Sequence, residues 1–145
     1  MNGQEIIKRY EAGERDFRWF NLTEADLNRA HLSQANLASA DLHMANLVGA
    51  NLSGANLEWA ILSWTNLSRA NLEATNLRMA NLTGANLTGA NLKEANLRVA
   101  DLRWAVLTEA DLQGADLVMA DASDEQLAQA ASLEGATMPD GTLHE

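Results

Sequence analysis

Cysteine is absent from this chain of 145 residues, so it has no disulfide framework, no thiolate nucleophile and no thiol redox chemistry. Nowhere is there an apolar run of the roughly 18 residues a membrane-spanning helix needs. The opening Met1-Asn2-Gly3-Gln4-Glu5 also lacks the basic and apolar regions of a secretory signal. A cytoplasmic location is therefore expected. Basic residues nearly vanish from the last third. Residues 1–100 hold ten acids against nine bases, whereas residues 101–145 hold ten acids against Arg103 alone, so the net charge of −10 belongs to one end. Direct nucleic-acid binding and attachment to an anionic membrane both need clustered Lys and Arg, and neither is expected. Nor does the repeat register described next break for long enough to admit a linker, so the chain is read as one domain.

What is present is a leucine at every fifth position from Leu22 to Leu117, twenty in succession. Five residues turn an α-helix through about 500°, so successive leucines would drift by roughly 140° and could not share a helical face. In a flat strand an odd spacing would send them alternately to opposite faces of the sheet. The pattern requires a chain that bends once per repeat, each segment forming one wall of a coil and sending its central leucine inward. Two residues before the centre stands alanine in 18 of the 22 repeats centred from Phe17 to Ala122, the exceptions being Arg15, Phe20, Thr65 and Thr75. Only a small side chain fits there repeatedly. Immediately before the centre stands Asn or Asp in 19 of 22, types that bond neighbouring backbone and tolerate turns; His31, Ile61 and Val106 break that column.

Segments such as Ala35-Asn36-Leu37, Ala50-Asn51-Leu52 and Ala85-Asn86-Leu87 carry the motif A(D/N)LXX over about three quarters of the chain, and in this the sequence resembles the pentapeptide-repeat family. The resemblance implies an all-β solenoid, a right-handed quadrilateral β-helix with four pentapeptides per coil and five to six coils in all. An open solenoid end exposes core and unpaired strand edge, so helical caps are expected at both termini. Gln4 to Ala12 places Ile6, Ile7 and Tyr10 on one helical face, with Gly13 as a stop. At the other end Ser123-Asp124-Glu125-Gln126 has the form of a capping box opening a helix through about Ala131, with Leu127, Ala130 and Ala131 facing the core. Beyond it, Ala131-Ser132-Leu133 and Ala136-Thr137-Met138 read as degenerate repeats shifted by one residue, and Pro139-Asp140-Gly141 as a turn. The expected division is a cap over 1–14, the solenoid over 15–124, and a cap helix with tail over 125–145. That tail resembles the ends of pentapeptide-repeat proteins from phototrophic bacteria.

A search for chemistry yields little. His31, His43 and His144 have no ligand spacing, so no metal is expected. Asp111, Asp116 and Asp121 fall on successive faces of the last coil and read as solvated turn carboxylates, with a cation site as the sharper alternative. Serines and threonines are scattered with no histidine in register, so a hydrolytic triad has no basis. Gly49, Gly54, Gly84, Gly89 and Gly114 occupy the last repeat position, which suits a turn and not a phosphate loop. No enzyme signature survives, and no cofactor is implied.

Taking every fourth repeat together sorts the last repeat position into columns, and all four tryptophans fall in two of them. One, read as lying on one wall of the solenoid, is Trp19, Ser39, Trp59, Met79, Val99, Met119, and the other, on the adjacent wall, is Glu24, Met44, Trp64, Gly84, Trp104, Asp124, so the patch is expected on two adjacent faces. Ile61 extends the patch, and Arg78, Arg98 and Arg103 stand beside it. Trp, Met and Arg are the types enriched at protein interfaces. Trp19, Met44, Trp59, Ile61, Trp64, Arg78, Met79, Arg98, Trp104 and Met119 are therefore the candidate contacts of a protein partner or of a second copy in a homodimer. The competing expectation is that Trp19 packs under the N-terminal cap while the others shield turns. A second functional reading comes from the resemblance, because some family members are acidic mimics of duplex DNA that bind type II topoisomerases such as gyrase.

Overall fold

In the computed structural model, which describes residues 1–145, the chain winds into a four-walled solenoid. Each Asn/Asp-column residue forms a parallel bridge with the residue 20 positions on, from Asp16 with Asn36 to Asp101 with Asp121. Every fifth residue therefore faces its own kind one coil away. Wall 1 carries Phe17, Leu37, Leu57, Leu77, Leu97 and Leu117 inward. Wall 2 carries the series from Leu22 to Leu102, wall 3 from Leu27 to Leu107, and wall 4 from Leu32 to Leu112. All twenty leucines are buried, and the alanines two residues before them close the gaps in the same core.

The walls are shorter than the name β-helix suggests. Each is a single bridge followed directly by a turn, and no strand extends beyond it. Hydrogen bonding explains this. In every repeat from Leu22 to Leu117 except that of Leu107 the leucine N–H donates to the next coil (Leu22 to the Asp41 carbonyl, 2.7 Å), and three residues later a second N–H folds back (Ala25 to the Leu22 carbonyl, 3.0 Å). Of 98 backbone hydrogen bonds, 92 lie outside the helices, so coil-to-coil ladders and turns hold the molecule together. The Asn/Asp column serves the turn. From Asp16 to Asp116, every Asn or Asp of the column accepts the N–H two residues on, as Asn21 Oδ1 does from Thr23 at 3.1 Å.

The last repeat position is left-handed throughout, with φ between 56° and 68° at every repeat from Trp19 to Met119. This is the third residue of each turn, where a type II turn demands positive φ. Glycine was the visible sign of that turn in the sequence, but the fold imposes the same conformation on tryptophan, methionine and arginine.

The exceptions to the alanine column have separate reasons. Thr65 and Thr75 are buried, and each hydroxyl donates to the carbonyl three residues back, Leu62 at 2.7 Å and Leu72 at 2.8 Å, so no polar atom is stranded. Phe20 packs edge-on against Phe17 at 5.5 Å, and Arg15 stacks on Tyr10 at 3.6 Å.

Helix α1, Gly3–Glu11, lies against the first coil. Its Ile6 is fully buried in the leucine core, while Ile7 and Tyr10 are partly buried against it. The Tyr10 hydroxyl donates to the Ser33 carbonyl at 2.8 Å. Gly3 is needed for this seat, because a Cβ there would run into the Asp26 carbonyl. Phe17 and Ile6 fill the first coil, so Trp19 is not under the cap; it stands 76% exposed on the outside. Helix α2, Asp124–Ala128, opens with a capping box between Ser123 and Gln126. It ends three residues earlier than the sequence suggested, because Ala131 has already rejoined the ladder, donating to the Ala110 carbonyl at 2.8 Å. Leu127 is buried, Ala130 partly so, but Ala131 is exposed. Ala131 and Ser132 together oppose Asp111, a bulge that carries the one-residue shift into the later bridges Asp111 with Ser132 and Asp116 with Thr137. The turn at Pro139–Gly141 then sends the chain back, and Leu143 pairs antiparallel with Thr137, covering the last edge.

Candidate functional site

Turns occupy the last two positions of each repeat, so the Trp-bearing columns are corners and not walls. The first runs along the corner between walls 1 and 2, the second along the corner between walls 2 and 3. Both therefore border one wall, wall 2. The corrected picture is a single face with Ile61 in its middle, Trp59 at one margin and Trp64 at the other. Trp19, Trp59, Trp64 and Trp104 are 76%, 54%, 56% and 70% exposed, and Met44 and Met119 are exposed as well, whereas Met79 is half-buried.

Side chains at this position lean towards the next coil. Trp64 lies across Gly84, where an added Cβ would stand 2.5 Å from the indole ring, and Gln34 and Glu94 lie likewise over Gly54 and Gly114. A long residue followed one coil later by glycine gives a side chain a flat seat. The corner carrying Trp19, Trp59 and Met119 contains no glycine.

The arginines are less free than their exposure implies. Arg78 pairs with Glu58 at 2.9 Å and Arg98 with Asp116 at 3.0 Å. Arg103 grips both oxygens of Asp101, the shortest contact being 2.7 Å, and these hydrogen bonds hold the Asp101 carboxyl below its usual pKa. The Arg103 guanidinium also lies 5.9 Å from the centre of the Trp104 ring. These arginines therefore bring partnered charge to the face, not free cations.

Two further groups, on the corner between walls 2 and 3, were missed in the sequence. His43 and Ser63 stand one coil apart in the same column, with His43 Nδ1 2.7 Å from Ser63 Oγ. A histidine is thus in register with a serine after all, and the 20-residue offset was the signal. The pair lacks the rest of a hydrolytic site. No carboxylate hydrogen-bonds the second ring nitrogen, and Ser63 is buried. The carboxylates of the last coil are turned to other uses. Asp111 and Asp116 each cap their own turn and pair with Lys93 and Arg98, and nowhere do three His, Asp or Glu side chains converge as metal ligands.

The three breaks in the Asn/Asp column also acquire a place. Each gives up the turn-capping bond of its repeat, and each follows by two residues a large corner side chain: Ile61 after Trp59, Val106 after Trp104, His31 after Arg29.

A family model described as pentapeptide repeats matches residues 16–54, 50–89, 65–103 and 85–121. No curated protein matches the chain. Among solved structures, a pentapeptide repeat protein from the cyanobacterium Cyanothece 51142 is 33% identical with a TM-score of 0.62, over 77% of this chain and 92% of that one. One from the Arabidopsis thaliana thylakoid lumen is 25% identical with a TM-score of 0.56, over 81% and 76%. QnrB1, a plasmid-mediated fluoroquinolone resistance protein, shares the fold at 17% identity and a TM-score of 0.53, over 85% and 72%. The fold common to them is the right-handed quadrilateral β-helix.

Proposed function

Because the chain belongs to the pentapeptide-repeat family, we propose that it is a non-catalytic binding scaffold whose wall 2, with the tryptophan corners that border it, engages a protein partner or a second copy of itself. Residues 15–124 form the body, of five to six coils, and residues 1–14 and 125–145 its caps. The observation that carries the reading is the exposure of all four tryptophans around one face, at backbone positions where φ is positive. A bulky side chain in the left-handed region costs roughly 1–2 kcal/mol, and glycine would avoid that cost. At the quoted exposures, with about 150–250 Å² per tryptophan, the four offer on the order of 400–650 Å². Ile61, Met44 and Met119 extend this towards the ~800 Å² that one partner contributes to a standard interface.

Light scattering over a range of concentrations separates a second copy from a different protein. If mass rises with concentration, Trp59→Ala with Trp64→Ala should abolish the rise. If it does not, affinity capture from the native host should yield a partner that the double variant loses. The reading fails if the double variant keeps every association of the parent chain.

The acidic DNA-mimic reading, directed at a type II topoisomerase, is less favoured. Asp101, Asp111 and Asp116 are each paired with a base, which breaks up a continuous negative strip. A gyrase supercoiling assay unaffected at micromolar protein would remove it. A cytoplasmic setting belongs to the proposal too. No helix is long and apolar enough to cross a membrane, and the relative from the thylakoid lumen is a case of the same fold in another compartment.

A further inference from the structure

The corner between walls 3 and 4 lies diagonally across the solenoid from the corner that carries Trp59. We propose that Arg29, His31 and Arg69 form there a second site, one that binds a ligand bearing oxyanions, a phosphate or a carboxylate.

Most of the basic charge is already committed. Arg9, Arg18, Arg78, Lys93, Arg98 and Arg103 each have a carboxylate within salt-bridge distance. Arg15 is occupied by the Tyr10 ring and by two backbone carbonyls. Lys8 projects from α1. That leaves Arg29 and Arg69, two guanidiniums with no acidic partner, in the same corner column of a chain whose net charge is −10. They are two coils apart, hence about 10 Å at the backbone from a ladder spacing of about 4.8 Å. The residue between them is Gly49, so no side chain separates them. The Arg29 stem lies over it, with Cγ 3.5 Å from where a Cβ would stand, which carries the Arg29 guanidinium towards Arg69; the Arg69 stem leans the same way over Gly89, towards Glu109 of the same column, with which it makes no ion pair.

The space they enclose is a cleft of about 430 Å³ lined by Asn28, Arg29, His31, Val48, Gly49 and Arg69. No carboxylate lines it. Glu11 of α1 borders the adjoining hollow but makes no ion pair with either arginine. His31 is the third observation. It replaces the Asn or Asp of its column at the loss of the turn-capping bond, and the residue gained is a second type of N–H donor beside Arg29. Paired guanidinium forks present only donors, and the imidazole adds an N–H beside them, a set matched to an oxyanion.

Isotope-labelled protein titrated at low ionic strength with pyrophosphate and, separately, with a hexaglutamate peptide tests this by NMR, with chloride as control. The expected result is saturable shifts confined to Asn28–His31, Val48, Gly49 and Arg69. A response to pyrophosphate alone identifies a phosphate ligand, to the peptide alone an acidic protein segment, and to both an oxyanion site without that preference. Arg29→Ala with Arg69→Ala should weaken binding by ~10-fold or more, and the matching lysine pair by several-fold, because the ammonium keeps charge but loses the fork. Arg18→Ala with Lys93→Ala, which removes two bases partnered by carboxylates elsewhere, should leave binding unchanged. The proposal is overturned if neither probe shifts the corner, if chloride reproduces the shifts, or if the Arg29/Arg69 alanine pair binds as the parent does. None of these outcomes bears on wall 2, which the tryptophan variants test separately.

Discussion

Replacing Gly84 and Gly89 by alanine, one at a time, separates backbone strain from side-chain contact in the same turn. The two glycines are one repeat apart and have nearly the same φ, +68° and +66°. An L residue in this region costs roughly 1–2 kcal/mol, partly offset by the ~0.4–1 kcal/mol gained when alanine narrows the unfolded ensemble. For Gly89 the new methyl would meet only the flexible stem of Arg69, at 3.3 Å, so a net loss of about 1 kcal/mol is expected. For Gly84 it would stand 2.5 Å from the Trp64 ring, which must lift from its seat. Because that ring is over half exposed it can move, so the added cost lies near the low end of the ~1–3 kcal/mol of overpacking. The expected totals are about 1 and about 2 kcal/mol, or roughly 3 °C and 6 °C in melting temperature for a chain of this size. Thermal denaturation followed by circular dichroism measures the pair, and the Trp64 indole N–H resonance should move only in the Gly84 variant. Equal losses with an unmoved indole would refute the seat of Trp64 on Gly84. Two neutral substitutions would refute the imposed left-handed turn itself.

Other substitutions test other parts of the molecule. Gly3→Ala drives a methyl into the Asp26 carbonyl, which as backbone cannot step aside, and should cost ~1–3 kcal/mol by thermal melting. Deleting residues 1–13 uncovers Phe17 and the first leucines, and should lower the melting temperature of the whole solenoid; an unchanged value would contradict the lid. His31→Asn restores the carboxamide acceptor for the Ser33 N–H, and should raise stability by ~0.5–1.5 kcal/mol while weakening oxyanion binding at the corner. Asp101 has its folded pKa held below the usual 3.8 by the hydrogen bonds from Arg103, so its contribution is present above pH 3.8 and is lost as pH falls through the lower folded value. Arg103→Ala should move the Asp101 titration up towards 3.8 by NMR, and soften the fall in stability below that pH.

The repeat body was legible because each of its requirements repeats at a fixed offset. The buried leucines, the small residue before each turn and the Asn or Asp that caps it follow from single positions, without knowledge of which coils touch. The caps were legible where local chemistry marks them: the Ser123/Gln126 capping box and the apolar face of α1. The hairpin that brings Leu143 back to Thr137 was not, because its partner is chosen by the open edge it covers and no local pattern announces it. The candidate face was only partly legible. Exposure of the tryptophans followed from their register, but reading the last repeat position as part of a wall split one face into two. A turn residue stands at the margin between walls, so its column belongs to both.

The sequence by itself determined the period, the inward and outward sense of nearly every side chain, and the absence of an enzyme signature or a thiol. These are properties of spacing and composition, carried by residues within five of one another. Only the tertiary structure decided which outward groups meet, because contacts between coils join residues 20 apart through side chains that lean along the axis. That leaning lays Trp64 on Gly84, brings His43 to Ser63, and commits Arg78 and Arg98 to carboxylates. It leaves Arg29 and Arg69 free beside His31. Charge and apolar area are countable in one dimension, but whether a guanidinium is spent on a neighbour or remains open to a ligand depends on what stands one coil away.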